Sequence, residues 1–262
     1  MRIWALILIS TLSAITESAV ARDVQPLAGP SGHWKLLPQY SDEFDEQSLD
    51  TNKWITDVPS WGTWTWSTDN VSVRGGKLRI KMQYQPNKRD GKDLHYTSGI
   101  AESAGPLLQN GYFEARIKGA SRFPGVCPAF WLSNTKHTST EIDIIEMEQN
   151  RSHLHQLDFT AHVWRQADGQ LRAPLHLPSN IHAKWQPDAG YHVYGLLWND
   201  QTLTWFVDGK PVASRPNIYW HEPLQIIFSM GLRKPLTEEP SDAGFPTEMA
   251  VDYVRVWKSA DR

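Results

Sequence analysis

Apolar and polar residues alternate along several short stretches of the chain, and turn sequences separate these stretches. Alternation with a period of two puts successive side chains on opposite faces of a strand, so that one face packs in a core and the other meets solvent or ligand. The alternating stretches are Lys77–Met82, Gly111–Lys118, Tyr191–Trp198, Leu203–Val207 and Val251–Trp257. Helix signals are nearly absent, so the pattern predicts a chain built from strands.

Four glycine-containing pairs punctuate this pattern, at Gly75-Gly76, Asp90-Gly91, Asp168-Gly169 and Asp208-Gly209. Asp208-Gly209 lies between two apolar runs and is the clearest two-residue hairpin turn. Many strands joined by such turns predict two packed antiparallel sheets, which is an all-β sandwich. We find no internal repeat and no sign of a second domain.

Composition narrows the class of protein. The chain has 262 residues, of which 40% are hydrophobic and 21% charged, and this balance predicts a globular fold with a substantial core. The net charge of −3 argues against a nucleic-acid partner, because nucleic-acid binding needs clustered basic surface. The 13 tryptophans, with 8 tyrosines and 8 phenylalanines, raise the odds of a carbohydrate ligand, since flat rings stack on flat ligands.

The N-terminal residues predict export. Arg2 precedes the apolar run Ile3–Leu12, and the small residues of Ala19-Val20-Ala21 follow. This is the pattern of a signal peptide over residues 1–21 that is cleaved on secretion, followed by a linker or tail over 22–33 and one domain over 34–262. No later stretch is long enough to span a membrane. We therefore expect a secreted monomer, extracellular or periplasmic, in which the single cysteine, Cys127, forms no internal disulfide.

An acidic cluster lies in the apolar segment Thr140–Met147. In a regular strand Glu141 and Asp143 share one face and Glu146 points to the other. One extra residue between Asp143 and Glu146, a β-bulge, would return all three carboxylates to one face and leave the isoleucines between them facing the core. Three like charges on one face raise the pKa of at least one carboxyl, as general acid catalysis requires. The alternative is a solvent-facing strand whose acids are merely hydrated.

This segment and its context resemble glycoside hydrolase family 16. The hexapeptide Glu-Ile-Asp-Ile-Ile-Glu at 141–146 matches the family signature, as do Pro-Ala-Phe-Trp-Leu at 128–132 and the stretches 111–116 and 251–257. The resemblance extends from about Asp42 to Lys258. It implies a jelly-roll sandwich of two curved antiparallel sheets, of which the concave sheet forms a sugar cleft. It also implies a retaining mechanism that needs no cofactor, with Glu141 as the nucleophile, Glu146 as the acid/base and Asp143 tuning the nucleophile.

Within the family, the C-terminal third is most similar to the κ-carrageenases, at residues 217–221, 229–233 and 244–252. This implies an endo-acting enzyme that cleaves β-1,4 linkages of a sulfated red-algal galactan, κ-carrageenan above all. An agarase, a porphyranase or a laminarinase of the same family remains an alternative, as does a non-catalytic glycan-binding sandwich. Arg233 is the candidate for sulfate recognition, because guanidinium offers a flat fork of donors, with a surface salt bridge as its alternative role. Arg165 and Arg172 are weaker candidates.

The remaining candidates lie near the acids. His162 is expected on the strand after the acid strand, where it would hydrogen-bond the acids or the sugar, as a histidine does in galactan-cleaving members; the alternative is an exposed histidine without a role in the site. Four tryptophans are candidate sugar-binding residues, and for Trp131 core packing is the alternative role. They are Trp66, Trp131, Trp164 and Trp220.

The resemblance also suggests a structural calcium position, although the chemistry requires no metal. Asp252, with the backbone near Gly76, resembles a structural calcium position on the convex face of the family. A calcium ion needs six or more oxygen ligands. His153 and His155 lack the spacing of a zinc site.

Overall fold

We describe a computed structural model over residues 24–27, 32–120, 125–136, 139–147, 153–164, 173–233 and 240–260. The predicted signal peptide, the predicted turn Asp168-Gly169 and the candidates Arg165 and Arg172 lie outside these residues. No helix within the described ranges is long and apolar enough to cross a membrane. The helices described are two single turns of 3₁₀-helix, Pro38–Tyr40 and Thr68–Asn70.

The strands of the described residues are β1 (Trp34–Leu36), β2 (Trp54–Ile55), β3 (Thr65–Trp66), β4 (Val71–Val73), β5 (Leu78–Arg89), β6 (Lys92–Ser98), β7 (Ile100–Ser103), β8 (Gly111–Lys118), β9 (Val126–Ser133), β10 (Thr140–Glu146), β11 (Gln156–Val163), β12 (Leu175–His182), β13 (His192–Trp198), β14 (Thr202–Val207), β15 (Lys210–Pro216), β16 (Gln225–Leu232) and β17 (Thr247–Ser259). The five predicted stretches lie in the strands β5, β8, β13, β14 and β17, apart from their end residues Lys77 and Tyr191, which each precede a strand.

These strands form two sheets, as predicted. The ten-stranded sheet has the order β15-β14-β13-β8-β17-β5-β6-β3, with β1 paired to β17 and β4 to β5. The seven-stranded sheet has the order β12-β11-β10-β9-β16-β7-β2. The described pairs are antiparallel apart from the parallel pair β3–β6. The fold is a jelly-roll sandwich.

The hairpin turns follow from the residues predicted for them. Asp208 and Gly209, between β14 and β15, have φ values of 47° and 75°, and Asp90 and Gly91, between β5 and β6, have 53° and 76°. Two successive residues with positive φ make the turn whose twist matches that of the strands, and Asp-Gly adopts it at low cost. The prediction of a tight hairpin at Asp208-Gly209 is confirmed.

The core fills the space between the sheets and fixes the strands that carry the site. Trp198, Trp205 and Trp220 are fully buried there, with Phe130 and Phe228 stacked at a centroid distance of 4.7 Å. Burying one such side chain contributes about 1.5–3 kcal/mol to stability. The single cysteine, Cys127, forms no disulfide, so apolar burial takes the place of disulfides in this fold.

Part of the predicted linker packs on the outer face of the ten-stranded sheet. The indole nitrogen of Trp257 donates a hydrogen bond to the carbonyl of Val24 at 2.7 Å, and the amide of Leu27 donates to Glu114 at 3.0 Å. Val24 also packs on the apolar cluster that Trp257 forms with its neighbours. Residues 24–27 therefore contact the domain directly.

The expected calcium position at Asp252, on the same outer face, does not fit the contacts of this residue. Both carboxylate oxygens of Asp252 accept hydrogen bonds from cations, one from Lys77 at 2.5 Å and the other from Arg116 at 2.6 Å. Burial acts to raise the pKa of Asp252, but these hydrogen bonds hold it below its usual value. The carboxylate near Gly76 is that of Asp45 instead. A residue whose two oxygens already serve two cationic side chains does not fit a calcium ligand.

Candidate active site

A β-bulge in β10 shapes the site. On the β9 side, Asp143 pairs with Trp131 but Ile145 pairs with the adjacent Phe130, so Ile144 is the extra residue. The register with β11 shifts over the same segment. This is the bulge predicted from the spacing of the acids.

The bulge brings the three acids to one face. Glu141, Asp143 and Glu146 all line a cavity on the outer face of the seven-stranded sheet, which we call the cleft face. Ile142 and Ile144 are fully buried in the core. The strand therefore separates an apolar face, which anchors it, from an acidic face that is free for chemistry.

Two neighbouring side chains on or just after β11 hold the acids. The Nε2 atom of His162 lies 2.9 Å from Oδ2 of Asp143 and 3.8 Å from Oε1 of Glu141. The indole nitrogen of Trp164 donates a hydrogen bond to Oε2 of Glu141 at 3.3 Å. His162 and Trp164 thus lie beside the acids, as the sequence predicted for His162.

Burial and mutual repulsion change the pKa values of this cluster. Burial, and then the charge of Asp143, raise the pKa of Glu141 to about 8. Burial and the charge of Glu146 raise the pKa of Asp143 well above its usual value. Burial lowers the pKa of His162, against the opposing effect of Glu141 and Glu146. The prediction that at least one carboxyl has a raised pKa is confirmed.

Arg233 lies in the cleft against the last acid. Its Nη2 atom is 2.5 Å from Oε1 of Glu146. Arg233 comes directly after β16 and continues the alternation of Ser229 and Gly231, which share one face of that strand. All three residues line the cavity. A Cβ on Gly231 would lie 3.1 Å from the Arg233 guanidinium and 3.2 Å from the Trp64 ring, so the glycine leaves room for both side chains.

A tryptophan cluster forms another wall of the cleft. The rings of Trp61 and Trp64 meet that of Trp66 edge to face, at centroid distances of 5.1 and 5.3 Å. Trp66 is only 7% exposed and Trp64 8%, whereas Trp61 is 38% exposed. Trp66 lines the cavity as predicted, but the ring with most surface left for a ligand is that of Trp61.

Arg89, at the end of β5, holds the loop that carries these rings. Its guanidinium donates hydrogen bonds to the carbonyls of Trp61, Gly62 and Trp64. Three carbonyls bound to one planar group fix the shape of a loop that has no regular structure of its own. The position of Trp61 therefore depends on Arg89.

The other predicted tryptophans divide between the cleft and the core. Trp131 and Trp164 line the cleft, and the Trp131 indole donates to the Ser229 hydroxyl at 3.0 Å. Trp220 is wrong as a sugar-binding residue, because it is fully buried below the acid strand. Its indole nitrogen lies 3.0 and 3.1 Å from the carbonyls of Glu141 and His162, so Trp220 supports the site from the core side.

Two adjoining hollows make up the cleft. One has a volume of about 300 Å³ and contains the three acids and Arg233, and the other, of about 350 Å³, extends past Ser133 and Thr135. Both are lined by Trp61, Trp131, Glu141 and Trp164. A larger hollow of about 520 Å³ lies on the ten-stranded sheet beside Trp34 and Lys258, away from the acids. The two adjoining hollows, with Glu141 between them, suit an extended ligand.

Several residues of the site escaped the sequence argument. Cys127 lines the cleft with its Sγ atom 3.6 Å from Oε1 of Glu146, and His176 contacts His162. Strand alternation could have placed Cys127 and Ala129 on the face of Trp131. No pattern on the sequence marked His176 as a neighbour of the acids.

Among the described residues, Glu141, Asp143 and His162 are the one group of three with ligand atoms close enough for a metal, all within 4.8 Å of one another. We do not assign them as metal ligands. Asp143 and His162 are hydrogen-bonded directly to each other, and Glu141 accepts a hydrogen bond from Trp164.

A jelly-roll sandwich with carboxylic acids at the floor of an aromatic cleft defines the class of the protein as a glycoside hydrolase. Residues 34–259 match the family model described as "Beta-porphyranase A-D, GH16 domain". The chain belongs to glycoside hydrolase family 16 and is a glycosidase.

Three similar proteins place the chain more closely. The kappa-carrageenase of Pseudoalteromonas carrageenovora is 35% identical over 282 residues, which cover 94% of this chain and 70% of that protein. The solved structure of a kappa-carrageenase from Zobellia galactanivorans is 31% identical, with a TM-score of 0.79 over 90% of this chain and 100% of that one. Beta-porphyranase E of Zobellia galactanivorans is 28% identical over 206 residues, 69% of each chain.

Proposed function

We propose that this protein is an endo-acting retaining glycosidase that cleaves β-1,4 linkages in a sulfated red-algal galactan. The preferred candidate for this substrate is κ-carrageenan. The observation that carries the proposal is the bulged acid strand, which sets Glu141, Asp143 and Glu146 together on the cleft face. Arg233, beside Glu146, supplies a cation where an anionic sugar would bind. The likeness to two kappa-carrageenases favours κ-carrageenan.

In this mechanism Glu146 protonates the leaving oxygen while Glu141 attacks the anomeric carbon. Water then resolves the glycosyl-enzyme, with Glu146 acting as the base. Asp143 and His162 hold Glu141 in place and adjust the charge around it. Trp61, which is the exposed ring of the tryptophan cluster, stacks on the sugar rings.

A porphyranase is the second candidate, because the matching family model is that of the beta-porphyranases. Porphyran is also a sulfated galactan, so Arg233 suits either substrate. Product analysis on κ-carrageenan, desulfated κ-carrageenan, porphyran, agarose and laminarin decides between them. Cleavage of laminarin alone would overturn the galactan assignment.

The catalytic roles are tested by substitution. Glu141→Gln and Glu146→Gln should each lower kcat by several orders of magnitude with an unchanged fold, whereas Glu46→Gln, at an exposed acid, should change nothing. Azide identifies each role. With Glu141→Gly it should yield an α-glycosyl azide, and with Glu146→Gly a β-glycosyl azide, since only the second variant still forms the covalent intermediate. An α anomer as the first product of the wild type would exclude the retaining route.

We also infer that the enzyme is exported and acts as a monomer. Export is supported by Arg2, the apolar run Ile3–Leu12 and the small residues before Arg22. Mass spectrometry of the protein from the culture fluid should find Arg22 at its N-terminus, and light scattering should give the mass of one chain. An uncleaved N-terminus on the cell fraction would overturn the export proposal.

A further inference from the structure

A row of polar side chains crosses three neighbouring strands at the acid cluster. Glu141 on β10 lies directly opposite His162 on β11, and His162 lies directly opposite His176 on β12. Directly opposite residues of antiparallel strands share a face. The row therefore runs along the cleft face from Glu141 to the edge strand, where His176 is exposed.

His162 is hydrogen-bonded at both ring nitrogens within this row. Its Nε2 atom lies 2.9 Å from Oδ2 of Asp143, and its Nδ1 atom lies 2.5 Å from Nδ1 of His176. The Trp164 ring stacks on His162 and meets His176 edge to face, both at a centroid distance of 5.1 Å. The two imidazoles and the indole thus form one packed cluster beside Glu141.

The contact between the two Nδ1 atoms links the protonation of both rings. A hydrogen bond needs one donor and one acceptor, so one of these nitrogens carries a proton and the other does not. Because a neutral imidazole has one N–H, the tautomer of each ring then sets that of the other. We propose that His176 is a positioning residue of the hydrolytic site, which fixes the tautomer of His162 and connects the buried Asp143 carboxyl to solvent.

The charges around this pair decide which tautomer is stable. The groups that face His162 and Asp143 come from three sides: Glu141 and Glu146 on β10, His176 and Asp158 on the flanking strands, and Arg233 after β16. Burial and the charge of Glu146 raise the pKa of Asp143 and so favour its protonated form, and in that form the carboxyl donates a hydrogen bond to Nε2 of His162. His162 then carries its own N–H on Nδ1 and donates it to His176, which carries its N–H on Nε2.

These hydrogen bonds give the Asp143 proton a path to solvent. The Asp143 proton passes to Nε2 of His162, the Nδ1 proton of His162 passes to Nδ1 of His176, and His176 releases its Nε2 proton to water. The reverse transfers return the proton to Asp143, so no proton is gained or lost over the cycle.

The inference rests on the glycosidase chemistry of the proposed function but not on which polysaccharide is cleaved, so the first test uses no substrate. Long-range ¹H–¹⁵N NMR of ¹⁵N-histidine protein reports the tautomer and the titration of each ring. We expect His162 as the Nδ1–H form and His176 as the Nε2–H form. His176→Gln, which still accepts a hydrogen bond but carries no charge, should shift the His162 midpoint upward by about 1 pH unit.

His182 provides the matched control. It is exposed on the same face of the same strand, six residues from His176, and lies opposite Gln156 instead of His162. His182→Gln should leave the His162 tautomer and titration unchanged. A His162 ring in the Nε2–H form, or equal effects of the two glutamine variants, would overturn the proposal.

Kinetics on the polysaccharide that the wild type cleaves give a second readout. A group that acts through another should contribute less than the roughly 10²–10⁴-fold of a direct acid or base, so His176→Ala should lower kcat about 10-fold with KM unchanged. Added imidazole should restore most of this loss by filling the space at the exposed edge, and it should not affect His182→Ala. A loss in KM instead, or no recovery with imidazole in a folded variant, would assign His176 a packing role only.

Discussion

Glu141 and Asp143 are two residues apart on one face of β10, and both cannot carry a negative charge at low cost. Glu141 has a pKa of about 8 because it is buried and lies beside Asp143. Unfolding moves this carboxyl into water, where the pKa of a glutamate is about 4.3. Over the interval between the two values the folded protein holds a proton that the unfolded chain has lost, so the free energy of unfolding falls as the pH rises.

The buried Glu141 carboxyl therefore lowers the free energy of unfolding as the pH rises. His162 has a lowered pKa, so it has the opposite effect on the free energy of unfolding below its ordinary pKa of about 6.5. The effect of Glu141 is therefore best measured between about pH 6.5 and about 8. Glu141→Gln should flatten the fall in unfolding free energy across that window, by up to about 1.4 kcal/mol per pH unit, and should be more stable than the wild type at its upper end. Urea denaturation at three pH values measures this. Glu46→Gln, at an exposed acid, is the control, and parallel curves for Glu141→Gln and wild type would contradict the assignment.

Arg233 has two competing partners if the substrate is sulfated. In the free protein its guanidinium pairs with Glu146, and a sulfate ester in the cleft would compete for the same donors. A charge-assisted contact of this kind contributes roughly 1.5–3 kcal/mol. Arg233→Ala should therefore lower kcat/KM on κ-carrageenan roughly 10- to 150-fold, and Arg233→Lys should recover part of it because a point charge does not reproduce the fork.

The pair with Glu146 means that Arg233→Ala also affects the chemistry on any substrate. The informative quantity is thus the ratio of kcat/KM on κ-carrageenan to that on desulfated κ-carrageenan. This ratio should fall for Arg233→Ala and fall less for Arg233→Lys. An unchanged ratio would mean that Arg233 only supports Glu146 and does not read sulfate.

At the scale of elements, the loop that carries Trp61 depends on a residue of a distant strand end. Arg89 donates to three carbonyls of that loop, and these bonds hold the exposed ring at the mouth of the cleft. Arg89→Gln should raise KM about 10-fold, as expected for the loss of 1–2 kcal/mol of stacking, and should leave kcat nearly unchanged. Lys88→Gln, whose wild-type side chain makes an exposed ion pair with Asp93, is the neighbouring control. A fall in kcat with constant KM would place the effect of Arg89 in the chemistry.

The sequence predicts a strand well where its residues alternate clearly between apolar and polar, and poorly where this alternation is interrupted. The strands β8 and β14 alternate clearly, and the bulge in β10 could be located because three acids require one face. The edge strand β12 escaped because Pro178 interrupts its pattern, and proline is tolerated in a strand only at an edge or a bulge. With β12 unseen, nothing placed His176 opposite His162.

The buried position of Trp220 could not be predicted from the sequence. It lies between strands, so alternation gives no face for it, and an indole suits either a cleft or a core. Only the packing of β10 over it shows that its N–H reaches the carbonyls of Glu141 and His162 from below. The side of a sheet on which a loop residue packs is a property of the tertiary fold.

On the scale of the whole molecule, the two sheets have different tasks. The seven-stranded sheet presents acids, rings and Arg233 on its cleft face. The ten-stranded sheet is contacted on its outer face by residues 24–27 and carries ion pairs, among them Asp252 with Lys77 and Arg116. The Asp252 pairs join β17 to β8 and to the residue before β5, and these three strands are adjacent near the centre of that sheet.

If Asp252 serves these cations and not a metal, calcium should not stabilise the protein. We expect the same Tm with added Ca²⁺ and with EDTA. Asp252→Asn should lower the unfolding free energy by about 1 kcal/mol, a value set by the partial exposure of the pair, because Lys77 and Arg116 would then face each other without a negative charge between them. The pKa of Asp252 is lowered in the folded protein. Its contribution to stability is therefore present above the ordinary aspartate pKa of about 3.9 and is lost as the pH falls through the lower pKa of the folded state.

The control is Asp93→Asn, which removes a far more exposed ion pair with Lys88 and should have little effect on the unfolding free energy. A Tm that rises by several degrees with Ca²⁺ in the wild type, but not in Asp252→Asn, would restore the calcium site and show that the ion displaces both cations.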